Sequence, residues 1–78
     1  MEPEMTERVL MTLGMKCPKP LFEVHKMMKD IPGGDVLRIM SDDPAFRLDI
    51  QAWCRRTGNE LVELNQESDR LVAVIRKV

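Results

Sequence analysis

The 78-residue chain is predicted to fold as a two-layer α/β sandwich in the order β-α-β-α-β-β, with a four-stranded mixed sheet and two helices on one face. Three observations point there. Two segments with helical apolar spacing each follow a short apolar run and a polar loop that ends in proline. The C-terminal third holds two apolar-rich runs separated by a polar turn, as an antiparallel hairpin requires. Strand–helix–strand connections cross over right-handedly, which lays both helices on the same face when the strand order proceeds in one direction.

The elements follow in order. Residues 1–7, with three glutamates and a proline, read as a flexible leader outside the fold; a single domain spans 8–78. The leader lacks the basic start and apolar run of a signal peptide. Arg8 to Leu13, closed by Gly14, reads as the first strand. Pro18 and Pro20 are compatible with a helix only in its first turn, so the first helix starts at about Pro18. Its apolar stripe is Leu21, Val24, Met28 and Ile31, with Glu23, Lys26 and Asp30 opposite. Pro32 to Asp35 stops it, and Val36 to Ser41 is the second strand. Asp43 as cap and Pro44 as first helical residue open the second helix, which buries Phe46, Ile50, Trp53, Cys54 and Thr57 and ends at Gly58. Glu60 to Leu64 and Arg70 to Lys77 form the hairpin, joined through Asn65 to Asp69.

Composition narrows the function. A formal net charge of −1 with 32% charged residues excludes a strongly basic nucleic-acid surface. No apolar stretch approaches the ~20 residues that cross a bilayer as a helix. Two cysteines are too few for a small disulfide scaffold, so a reducing, cytoplasmic setting is expected.

The chemistry centres on Cys17. It occupies the place before the first helix that Asp43 occupies before the second, and a helix start that suits a carboxylate suits a thiolate or persulfide. Free N–H groups, the helix dipole, Lys16 and Lys19 are expected to lower its pKa, while Pro18 and Pro20 stiffen an exposed corner. Cys54, in the last turn of the second helix, reads as a core residue whose thiolate is disfavoured. A disulfide between the two is not expected, because they fall at opposite ends of parallel helices. His25 lies two turns beyond Cys17, too far to serve as its base. One histidine and two cysteines lack metal-ligand number and spacing, so neither a metal nor a bound cofactor is expected. Phe22 points away from the apolar stripe and is a candidate partner contact.

The run Leu13-Gly14-Met15-Lys16-Cys17-Pro18-Lys19-Pro20-Leu21, with Asp42-Asp43-Pro44-Ala45 and Trp53-Cys54 downstream, resembles the SirA-like sulfur-carrier family, also called the TusA family. The resemblance implies the same sandwich, with Cys17 as the residue that takes a persulfide sulfur from a cysteine desulfurase or other donor and passes it to an acceptor protein. Gly14, Lys16, Pro18, Lys19 and Pro20 are the supporting residues of the motif. Family members serve tRNA thiolation, molybdenum-cofactor assembly or sulfur oxidation, and act as sulfurtransferase-type carriers rather than stand-alone enzymes. Met11 stands where many relatives have an acidic residue and Leu13 where many have arginine, which points away from the tRNA-thiolation branch. Two other readings stay open at this point: a thiol-based redox or regulatory module, and an RNA-binding module of similar architecture, against which the near-neutral charge argues.

Overall fold

The computed structural model describes residues 7–16 and 18–78. β1 (Glu7–Met11), α1 (Lys19–Lys29), β2 (Val36–Ser41), α2 (Phe46–Thr57), β3 (Glu60–Glu67) and β4 (Arg70–Arg76) follow in the expected order. They build one four-stranded sheet in the order β1-β2-β4-β3, with β1 parallel to β2 and β4 antiparallel to both of its neighbours. β1, β2 and β3 therefore point the same way. Both helices run back against them, so α1 and α2 begin at the same end of the sandwich.

The core follows from strand periodicity. Leu37 and Ile39 of β2 and Leu71, Ala73 and Ile75 of β4 face one side of the sheet. They pack there with Val24, Met28 and Ile31 from α1 and its end, and with Phe46, Ile50, Trp53 and Cys54 of α2. Both helices cover that single face. Thr57, expected in the buried set, is exposed; its hydroxyl instead donates to the Trp53 carbonyl one turn back at 2.8 Å. Gly58 ends α2 at φ 80° and donates its N–H to the Cys54 carbonyl, a left-handed cap that a Cβ disfavours. The last carbonyls of α1 are met from afar, by the Lys77 ammonium on the Met28 oxygen at 2.7 Å.

Besides the end of β1 at Met11 rather than Leu13 and the start of α2 at Phe46 rather than Pro44, three features differ from the sequence reading. The first is Glu7, assigned to the leader, which is the first residue of β1: it pairs with Val36, and its carboxylate takes the Arg38 guanidinium. Residues 1–6 lie outside the described residues. The second is β3, which runs on through Asn65, Gln66 and Glu67, so that the hairpin turns on Ser68 and Asp69 alone, with Ser68 at φ 61°. These polar residues sit in a strand because β4 offers backbone partners up to Arg70, and an edge strand need bury only one face.

The third is a bulge at Val62, between Leu61 and Glu63 in the register with β4. Strict alternation would send Leu61 and Leu64 to opposite faces. The extra residue lets both reach the core and leaves Val62 44% exposed.

Candidate functional site

The loop that carries Cys17 joins β1 to α1, and the described residues on both sides of it are fixed. On the strand side, Thr12 is fully buried and donates its hydroxyl to the Met40 carbonyl at 2.6 Å, while its carbonyl accepts the Met15 N–H. Gly14 follows at φ 85°, a conformation that costs a glycine least. Its N–H lies 3.0 and 3.2 Å from the two oxygens of Asp42, in the loop before α2. The two loops that precede the helices are thus clasped at one end of the sandwich.

Replacing Asp42 by alanine is expected to cost about 1 kcal/mol and to speed amide exchange at Gly14, with Asn restoring most of both because it keeps an acceptor. Thermal melts and hydrogen-exchange NMR of the three proteins check this; an unchanged Gly14 exchange rate would remove the clasp.

On the helix side, Pro18 takes the capping position of α1 and Pro20 its second position. Lys16, Pro18 and Lys19 are exposed, whereas Pro20, read as part of an exposed corner, is buried. It lies with Leu21 against Phe46 and Asp49 of α2, so one proline faces solvent and the other anchors the turn. The start of α2 is displaced from the sequence reading: the helix begins at Phe46 with Ala45 in the capping position, because Asp43 and Pro44 form a turn of their own. In that turn the Asp43 carboxylate accepts the Ala45 N–H at 3.1 Å, its carbonyl accepts the Phe46 N–H at 3.0 Å and its own N–H donates to Ser41 Oγ.

Among the described residues, the start of α1 does not leave the orphan N–H groups expected there. Proline supplies none at 18 and 20, Lys19 N–H donates to the Lys16 carbonyl at 2.9 Å, and Leu21 N–H to the Pro18 carbonyl at 3.1 Å. What these residues direct at the loop is the charge of Lys16 and Lys19 and the helix dipole. Cys17 itself lies outside the described residues.

Cys54 is described, and is the opposite of a reactive thiol. It is 4% exposed, packs in the core, and burial pushes its pKa up to about 11 from 9.0. A thiol whose folded pKa is raised gives stability that is complete below the unfolded pKa and lost as pH climbs toward the folded one. Stability is therefore expected to fall between pH 9 and 11, and Cys54→Ala, though less stable at neutral pH, to show a flatter alkaline limb. Urea titrations across that range measure it; parallel alkaline limbs would refute it.

Phe22 is 63% exposed, as its position off the apolar stripe implied. His25 is also exposed, on the same side of α1. Sequence reasoning missed Asp42 as the tether of the cysteine loop. The paired acids and proline at 42–44 signalled a helix start, and nothing in the spacing tells which of two adjacent carboxylates turns outward to a neighbouring loop.

The comparisons agree with this architecture. The family model described as sulfurtransferase TusA matches residues 8–77. The sulfur carrier protein TusA of Pseudomonas savastanoi pv. phaseolicola is 35% identical over 71 residues, covering 91% of this chain and 84% of that protein. That of Pseudomonas aeruginosa is 34% identical over 71 residues, covering 91% and 90%. A relative from Aquifex aeolicus is 34% identical over 77 residues, and the match takes in 99% of this chain but 39% of that longer protein. The crystal structure of the SirA-like protein from Desulfitobacterium hafniense superimposes with a TM-score of 0.78 at 19% identity, covering 91% of this chain and 96% of that one, a likeness of fold. These similarities place the protein in the class of sulfur carriers. The chain belongs to the TusA family. Among the described residues, no helix is long and apolar enough to cross a membrane.

Proposed function

We propose that Cys17 carries a single sulfane sulfur between a donor protein, of the cysteine desulfurase type, and an acceptor protein in the cytoplasm. The supporting observation is the loop itself: Lys16, Pro18 and Lys19, on either side of Cys17, are exposed at a helix start, while Cys54 is buried. The Cys17 thiolate attacks the outer sulfur of the donor's persulfide; a new S–S bond forms, the donor's S–S bond breaks, and the donor cysteine leaves as thiolate. Electrons and protons balance without an external oxidant. The second transfer is the same step in reverse roles, with the acceptor's nucleophile attacking the outer sulfur and Cys17 leaving.

Lys16 and Lys19 favour the anionic forms of both thiol and persulfide, and the acid–base groups of each transfer come from the partners. Incubation with a cysteine desulfurase and cysteine, followed by intact-protein and peptide mass spectrometry, tests this. One added sulfur mapping to Cys17 is expected, unchanged in Cys54→Ser. A rapidly alkylated Cys17 that never gains sulfur but forms sulfenic acid with peroxide would move the assignment to a redox module.

A further inference from the structure

A groove runs between the outer sides of α1 and α2, beginning at Pro18, the residue after Cys17. Its first stretch, of about 380 Å³, is lined by Pro18, Leu21, Phe22, His25, Trp53 and Arg56. It continues past His25 and Trp53 into a shallower stretch of about 210 Å³ bordered by Lys29 and Lys77. α1 spans 11 residues, or roughly 16 Å at ~1.5 Å per residue, so the whole trough suits three turns of helix or about five extended residues.

Two features say what fits there. Phe22, 63% exposed, stands at the lip of a concave apolar surface rather than alone on a convex one. The charge is also sorted. Among the described residues, those with full charge along both stretches are Arg56, Lys29 and Lys77, and no carboxylate lines either, although the chain as a whole is net negative. The nearby acids lie elsewhere: Asp43 and Asp49 on the far side of Pro18 and Leu21, against Phe46, and Glu23 and Asp30 on the other flank of α1 beside Leu10.

We propose that this groove docks a segment of a partner protein that presents apolar side chains between carboxylates, bringing the partner's reactive sulfur to Cys17. The proposal rests on the carrier reading and adds the recognition chemistry to it. A protein segment fits better than a nucleic acid, because the apolar floor is recessed and one exposed ring does not make the row of stacking platforms that single strands use.

Trp53 is the single tryptophan and lies in the groove, so its fluorescence and indole N–H resonance report occupancy directly. The probe is a blocked amphipathic peptide about twelve residues long, with leucines at helical spacing and glutamates elsewhere. Its twin carries lysine for each glutamate, and an oligouridylate serves as the nucleic-acid arm. The glutamate peptide is expected to shift the Trp53 signals saturably and less tightly at high salt, with Kd raised about tenfold in Phe22→Ala and in Arg56→Glu. Both residues are exposed, and melting temperatures confirm that both variants fold. No response, an equal response to the lysine twin, a stronger response to oligouridylate, or an unchanged Kd in the two variants each overturns the proposal. Trp53 reports without sulfur. Docking that fails while Cys17 loads, or persists in Cys17→Ser, therefore separates this inference from the carrier reading.

Discussion

Cys17→Ser is expected to gain no sulfur from a desulfurase, at any enzyme concentration, while melting within a few degrees of the wild type. Serine's hydroxyl is not ionised at neutral pH and forms no S–S bond, so the loss is complete rather than graded. Cys54 cannot take over: its sulfur is buried, its ionisation is displaced to about 11, and it sits in the last turn of α2, away from the loop end of the sandwich. The fold tolerates the change because Lys16, Pro18 and Lys19 around it are exposed. Intact mass before and after incubation, with a thermal melt of each protein, reads both halves. Sulfur on Cys17→Ser would locate the cargo elsewhere and end the proposed role of Cys17.

Phe46→Ala is expected to have the largest effect on stability, a loss of about 3–5 kcal/mol. Phe46 is 1% exposed and among the largest fully buried side chains. It also meets Pro20 and Leu21 at the start of α1, so its cavity opens under the turn that follows Cys17. A domain of this size is stabilised by roughly 4–12 kcal/mol in all. The variant is therefore marginal at 25 °C, with a melting point lowered by more than about 15 °C. Phe22→Ala deletes the same atoms from an exposed site and is expected to stay within about 0.5 kcal/mol. Urea denaturation of the pair decides the matter; equal losses would contradict the burial of one ring and the exposure of the other.

Much of the fold was legible where the sequence speaks through burial. The stripe of Val24, Met28 and Ile31, and that of Phe46, Ile50, Trp53 and Cys54, are buried as their spacing implied, because a helix that covers a sheet must repeat apolar residues at its own period. Gly58 marked the end of α2 for an equally local reason, whereas Pro44 stands in a turn two residues before the helix begins at Phe46. What escaped was decided at a distance. Asn65 to Glu67 carry no strand signal of their own and extend β3 because β4 lies alongside. The bulge at Val62 is visible only as two leucines three apart, a spacing that in isolation suggests a helix turn.

Around the proposed site, the exposure of Lys16, Lys19 and Phe22 could be picked out from residue type and order. The burial of Pro20, the Gly14–Asp42 tether and the groove against Trp53 could not, since each needs two segments about thirty residues apart to meet.

The turn at the head of α1, whose available donors are spent on Lys16 and Pro18 carbonyls, has a consequence for traffic. In the proposed relay, neither arrival nor departure of the cargo asks the Lys19 or Leu21 amide to exchange a bond. Among the described residues, what then acts on the cargo is the positive field of Lys16 and Lys19, felt by the laden and the empty form alike. Such a shuttle is an almost level step between its suppliers and its customers, and the direction of flow is left to them.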